Sequence, residues 1–201
     1  MKDQYFKNEP ADEAERRKGV LQKEFLFIVT DFQPFTISDL RVIPSTYMMD
    51  TSFESSPTSV RNYCLESIKQ VMLGVFQGLK DLHSIGITHR DIKLCNILID
   101  NNQYPVRKVK ICDFGSSKKL ISDPNDQSTQ SISYIGTRSF RAPELLVGNR
   151  FYDTKIDIWS AGVVFLNLIF KYLNKKVYMF DVRDTKSLSK VIIDFIGQPT
   201  D

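Results

Sequence analysis

The chain has 201 residues, 42% hydrophobic and 25% charged, a balance ordinary for one globular domain with a sizeable core. Its 27 lysines and arginines against 24 aspartates and glutamates leave a net charge of +3, spread along the chain, which argues against nucleic-acid binding. The longest apolar run, residues 161–170, is broken by Asn167 and too short to span a bilayer, so no membrane association is expected. The opening Met-Lys-Asp-Gln has no apolar signal core, and Cys64, Cys95 and Cys112 have no metal-ligand spacing. Both point to a reducing compartment, cytoplasm or nucleus.

Residues 1–19 are polar throughout and read as a mobile tail or irregular lead-in. Residues 24–30 (EFLFIVT) are apolar, aromatic and β-branched, as in a buried strand, and residues 31–35 follow as a connector. Residues 50–58, rich in Ser and Thr, read as a surface loop. From about Val60 to Ser84, the residues Cys64, Ile68, Val71, Met72, Val75, Leu79 and Leu82 recur at helical spacing. This predicts a long core-facing helix, with Ser59 as N-cap and Gly86 as its stop. Residues 96–100 and 109–112 read as two short strands around a turn containing Asn101 and Asn102. Residues 116–133 are polar and read as flexible, 156–170 as a strongly apolar helix, and 187–196 as a last short helix ending at Gly197.

The chemistry-bearing residues fall in a fixed order. His89-Arg90-Asp91-Ile92-Lys93-Leu94-Cys95-Asn96 comes first, and Asp113-Phe114-Gly115 follows it. Ala142-Pro143-Glu144 and Asp157-Ile158-Trp159-Ser160-Ala161-Gly162 lie further on. The spacing of Asp91 and Asn96 lets a carboxylate accept a hydroxyl proton while a nearby amide oxygen holds magnesium against the same phosphate. In this order and at these distances the motifs resemble those of the eukaryotic protein kinases. Aminoglycoside-type phosphotransferases share the Asp-to-Asn spacing but lack the A-P-E and D-x-W-S-x-G elements.

The resemblance implies an α+β fold: a mostly α-helical C-lobe with the hinge strand and short β-hairpins. It also implies ATP and Mg2+ as cofactors. Asp91 would be the catalytic base and Lys93 would stabilise the transferred phosphoryl group, with Asn96 and Asp113 as the magnesium ligands. Asp31 and Phe32 would lie in the hinge whose backbone receives adenine, and Leu98 would contact the nucleotide. His89 and Phe114 would pack on each other, and Asp157 would hold the catalytic-loop backbone. A lysine two residues after the base is typical of serine/threonine kinases.

Residues 133–144 (SYIGTRSFRAPE) resemble the activation segment of the CMGC group: cyclin-dependent, mitogen-activated and glycogen-synthase-type kinases. On that resemblance Arg90 and Arg141 could form a cationic pocket for a phosphate, and Thr137 would hydrogen-bond Asp91 and Lys93. Tyr134 is either a regulatory tyrosine or an ordinary packed one. Cys112 is either a small buried residue or an accessible thiol near the nucleotide. Leu94 departs from the family's usual proline, which stiffens the loop but carries no chemistry. Within the group, residues 111–116 look like the glycogen-synthase-kinase type. The insertion over 171–176 looks like divergent yeast-type kinases that activate cyclin-dependent kinases.

No G-x-G-x-x-G loop or V-A-I-K-like strand precedes residues 24–30. The expected organisation is a polar lead-in over 1–21 and a partial kinase domain over 22–201, lacking most of the N-lobe and the end of the C-lobe. One reading is a truncated serine/threonine kinase that is inactive on its own. The other is a catalytically inactive C-lobe acting as a docking or regulatory module. The intact Asp91, Lys93, Asn96 and Asp113 favour the first. Implied partners are protein substrates, proline-directed by analogy with the group, and a cyclin-like or other regulatory protein, with a role in the cell cycle.

Overall fold

The computed structural model describes residues 4–8, 24–28, 30–41, 57–103, 105–120, 135–175, 182 and 184–197. It divides into two units, Met1–Phe32 and Gln33–Asp201. In the first, β1 (Gln4–Asn8) pairs antiparallel with β2 (Glu24–Ile28), Gln4 opposite Ile28 and Asn8 opposite Glu24. β2 is the strand its composition predicts. β1 corrects the expectation of an irregular lead-in over 1–19. Tyr5 and Phe6 supply strand propensity inside a polar stretch, and the backbone groups of β2 need a paired neighbour. The rest of that lead-in lies outside the described residues.

The second unit is organised by one long helix. α1 (Pro57–Ser84) begins earlier than the predicted Ser59 cap, with proline first, where the missing N–H sacrifices no helical bond. The loop expected over 50–58 therefore ends sooner, and residues 50–56 lie outside the described residues. Gly86, at φ +75°, turns the chain out of the helix. Cys64, Ile68, Val71, Met72, Val75 and Leu79 are buried in one core with Ala161, Val164, Leu168 and Tyr172 of a second long helix. α3 (Lys155–Tyr172) slightly exceeds the predicted span at both ends.

Beside this helix pair lies an antiparallel sheet in the order β3 (Phe35–Thr36), β5 (Ile97–Ile99), β6 (Val109–Ile111). β4 (Ile87–Thr88) pairs with β7 (Lys118–Lys119). β7 corrects part of the flexible reading of residues 116–133: its backbone completes the bonding of β4 at the entrance to the catalytic loop. Residues 121–134 lie outside the described residues. The short α2 (Pro143–Leu146) carries the A-P-E residues. α4 (Thr185–Ile196), capped where Asp184 Oδ1 accepts from the Ser187 amide at 2.8 Å, buries Leu188 and Ile192 against Val163. The fold is thus α+β and mainly helical, as the motifs imply. Among the described residues no helix is long and apolar enough to cross a membrane.

Two contacts fix the frame. Lys171, in the last turn of α3, donates from Nζ to Ser38 O at 3.0 Å and Leu40 O at 2.9 Å. Burial lowers the Lys171 pKa, opposed by the Asp39 carboxylate. The second contact is a close approach of α1 to β6. A Cβ on Gly74 would lie 2.5 Å from Val109 Cβ, an atom too near the backbone to swing aside. At Gly78 the nearest atom is the flexible end of Ile111, at 3.0 Å.

Alanine in a helix interior gains about 0.8–1 kcal/mol over glycine, whereas overpacking costs about 1–3 kcal/mol. Urea unfolding should therefore show Gly74→Ala destabilised and Gly78→Ala neutral to slightly stabilised. Equal effects at the two positions would contradict the close approach.

Candidate active site

The catalytic loop leaves β4 at His89, which is fully buried. The His89 ring meets the Phe114 ring edge-on, centroids 5.1 Å apart at 66°, as the resemblance implies. Its Nε2 donates to Cys112 O at 2.9 Å, and its Nδ1 accepts from the Asp91 amide at 3.3 Å. The imidazole therefore ties the loop to the strand that leads to Asp113.

Asp157, at the N-terminal end of α3 and 1% exposed, holds the loop's backbone. Its Oδ2 accepts from the His89 amide and its Oδ1 from the Arg90 amide, both at 2.8 Å. His83, near the end of α1, adds a third contact, Nε2 to Oδ2 at 2.9 Å. Arg90 is held at φ +70°, a left-handed conformation that costs a non-glycine residue about 1–2 kcal/mol. Charge-assisted bonds to a buried carboxylate contribute about 1.5–3 kcal/mol each, enough to hold the strain. That turn is what carries Asp91 away from the core.

Asp91 is the meeting point of the site, its side chain 12% exposed. Its Oδ2 accepts from Lys93 Nζ at 2.7 Å and Asn96 Nδ2 at 3.3 Å. Its Oδ1 accepts from the Thr137 amide at 2.9 Å and the Thr137 hydroxyl at 3.0 Å. Burial alone would raise the Asp91 pKa, but the Lys93 ammonium and the two Thr137 donors prevail and hold it below the usual carboxylate value. The same pairing raises the Lys93 pKa. Asn96, 5% exposed, also donates from Nδ2 to Asp91 O at 2.9 Å. Its Oδ1 is met only by the Cys95 thiol, at 3.7 Å, among the described residues. Leu94, where the family has proline, opens a 3-10 turn over Leu94–Asn96 and packs against the core.

Asp113 sits at φ +63° and caps the 3-10 turn Phe114–Ser116 by accepting from the Gly115 amide at 3.4 Å. It is exposed. Half-buried Leu98 stands on β5, opposite Thr36 and Lys110 in register. Asp31 and Phe32 belong to the N-terminal unit, Phe32 being 85% exposed. Tyr134 lies outside the described residues.

One regulatory expectation needs correction. Thr137 bonds Asp91, and no bond from it to Lys93 is present. Arg90 and Arg141 line one cavity with Asp91, Gly136 and Thr137, and both guanidinium groups already donate to neighbouring groups. Arg141, 8% exposed, donates from Nε to Ile135 O at 2.7 Å and from Nη2 to Gly136 O at 2.8 Å. Arg90 donates from Nε to Ser116 O and from Nη1 to the Tyr152 hydroxyl at 3.3 Å. Guanidinium groups satisfy carbonyls that approach them this closely, and the fork of Arg141 shapes the turn at Gly136. Cys112 is half-buried, and burial raises its pKa.

Sequence reasoning passed over His83, Gly136 and Tyr152. His83 falls four residues after Leu79 on the core-facing stripe of α1, a visible signal for a buried polar contact. Gly136, at φ +69°, lies where a Cβ would be 2.5 Å from Arg90 O. Only glycine lets this backbone reach the catalytic loop and place Thr137 on Asp91. No pattern along the chain announces Tyr152.

Comparison with known proteins gives a consistent result. A family model described as "Protein kinase domain" matches residues 14–196. Mitogen-activated protein kinase 5 of Oryza sativa subsp. indica is 34% identical over 157 residues, 78% of this chain and 39% of the relative. Glycogen synthase kinase 3 of Trypanosoma brucei brucei is 37% identical over 136 residues, covering 66% of this chain and 35% of the relative. The crystal structure of the yeast RNA Pol II CTD kinase CTDK-1 complex matches with a TM-score of 0.56 at 28% identity, over 88% of this chain and 48% of that one. The chain thus spans less than half the length of these relatives.

Two outcomes follow from the geometry. Gly136→Ala should destabilise the protein by about 1–3 kcal/mol in chemical unfolding, through left-handed strain and the clash with Arg90 O. A neutral result would mean the approach is not required. A carboxyl whose folded pKa lies below its unfolded value stabilises the fold above the unfolded value, and this is lost as pH falls through the folded one. The stability advantage of wild type over Asp91→Asn should therefore be constant from pH 7 to about 5 and shrink below about 4. An advantage that rises on acidification would reverse the assignment.

Proposed function

The chain belongs to the protein kinase family, and we propose that it transfers the γ-phosphoryl group of ATP to serine or threonine hydroxyls of proteins, as a member of the CMGC group. The observation that carries this reading is the convergence of Lys93, Asn96 and Thr137 on the Asp91 carboxylate. Unlike buried Asp157, this carboxylate reaches the surface beside a lysine ammonium, where a substrate hydroxyl can meet it.

Phosphoryl transfer passes through a loose transition state, so catalysis is mainly positioning and charge stabilisation. A carboxylate with a lowered pKa is a weak base, and that suits the task. Asp91 orients the incoming hydroxyl, whose bond displaces one of the resting donors, and takes its proton late. Lys93, one hydrogen bond from Asp91, places a fixed positive charge beside the group in flight. Thr137 holds the end of the activation segment against the carboxylate, so the substrate hydroxyl and the loop share one frame.

The residues also fit magnesium. Asn96 spends its amide nitrogen on Asp91, which leaves Oδ1, met by the Cys95 thiol, as an oxygen donor, and Asp113 offers an exposed carboxylate. Both are oxygen donors of the kind this ion prefers, and it commonly takes few protein ligands beside waters and phosphates. Among the described residues no cluster of three or more His, Cys, Asp or Glu suggests a metal cage of another kind. Held there by Asn96 and Asp113, magnesium would supply positive charge against the developing negative charge of the phosphate. The neighbouring solved structure is of a kinase complex, which supports a regulatory protein partner here as well. Proline-directed substrates and a cell-cycle role follow from the likeness to the CMGC group.

The test is transfer from magnesium-ATP to serine/threonine peptides by the chain and by Asp91→Asn. A positioned proton acceptor contributes about 10²–10⁴ in rate, and the variant should lose that factor. Equal, measurable rates in the two proteins would remove Asp91 from the reaction and overturn this reading.

A further inference from the structure

We infer that Tyr152 is a positioning residue for the catalytic loop: its phenol oxygen holds the Arg90 guanidinium on the Ser116 carbonyl and thereby keeps the Asp113 turn in register with Asp91. This rests on the proposed phosphoryl transfer for its consequence, though not for its geometry.

Tyr152 lies in the segment between α2 and α3, and its ring packs in a cluster built on Ala142, Leu145 and Ile156. A phenylalanine would fill that space equally well. Packing therefore explains the ring and leaves the hydroxyl unexplained. The hydroxyl lies 3.3 Å from Arg90 Nη1. A guanidinium is planar and rigid, so a bond at one Nη fixes the direction of the Nε–H. That Nε–H donates to Ser116 O. Ser116 closes the 3-10 turn Phe114–Ser116 whose cap is Asp113.

The other end of Arg90 is equally constrained. Its backbone stands at φ +70° with its amide on Asp157, and its carbonyl faces Gly136. The arginine is thus a strut with one end in the catalytic loop and the other on the magnesium-site turn. Tyr152 sets the strut's angle from a third element, seated on the buried cluster beneath the A-P-E residues. The contact needs no modification of the chain.

The test is a double-mutant cycle of Tyr152→Phe and Arg90→Lys, read by amide hydrogen exchange of peptides covering residues 113–119 in the full chain without nucleotide. Lysine keeps the charge and loses the fork. Loss of one hydrogen bond should speed exchange across 113–119 by about 2- to 10-fold in Tyr152→Phe, with α3 unchanged. In the Arg90→Lys background the same substitution should add nothing. Unchanged exchange in Tyr152→Phe would overturn the assignment. So would an equal increase in the Arg90→Lys background, which would make Tyr152 a packing residue. Where the wild type transfers phosphate, Tyr152→Phe should lower kcat by a similar factor and leave KM for ATP within about twofold. Absence of transfer by the wild type would count against the proposed function, and the exchange result would still decide the role of Tyr152.

Discussion

The site hangs on the carboxylate of Asp157. It is buried, it belongs to the helix at the centre of the larger unit, and it accepts the two successive amides of His89 and Arg90. A buried carboxylate without such donors would be strongly unfavourable, and a left-handed arginine without such an anchor would relax. Each feature makes the other tolerable. The rigidity of α3 against α1 then becomes the rigidity of the loop, because the same helix that fills the core grips the loop's backbone.

From that anchor the construction proceeds outward in short steps. The turn at Arg90 delivers Asp91, the 3-10 turn at Leu94–Asn96 returns an amide to it, and the end of the activation segment closes over it through Gly136 and Thr137. Every step joins a polar group to a backbone or carboxylate partner within hydrogen-bond range. The apolar core beneath supplies cohesion but no direction. Direction comes from the few polar contacts that reach across elements far apart in sequence.

Much of this was legible along the chain because local pattern and chemistry coincide there. The stripe from Cys64 to Leu79 predicts α1, and the order of the four motifs identifies Asp91, Lys93, Asn96 and Asp113 as one set. What stayed hidden depends on approach in space. Strand β1 owes its existence to the need of β2 for a partner as much as to Tyr5 and Phe6, and that need is not written in its own stretch of chain. The requirement for glycine at position 136 arises from the carbonyl of Arg90, which no spacing rule reveals. The carbonyl partners of Arg141 are hidden along the chain, where only the charge of a guanidinium is obvious. Tyr152 is invisible for the same reason.

Leu94 has a consequence of a different sort. A proline at this point would restrict the loop covalently, by a ring whose effect on the backbone is nearly independent of temperature. Here the restriction comes from a side chain resting against the core. Burial of apolar surface weakens on cooling, since its driving force near room temperature is entropic. Of the ties that hold this loop, the one at Leu94 therefore follows the solvent's own thermodynamics and weakens on cooling, where a proline's restriction would not. The polar ties to Asp157 remain.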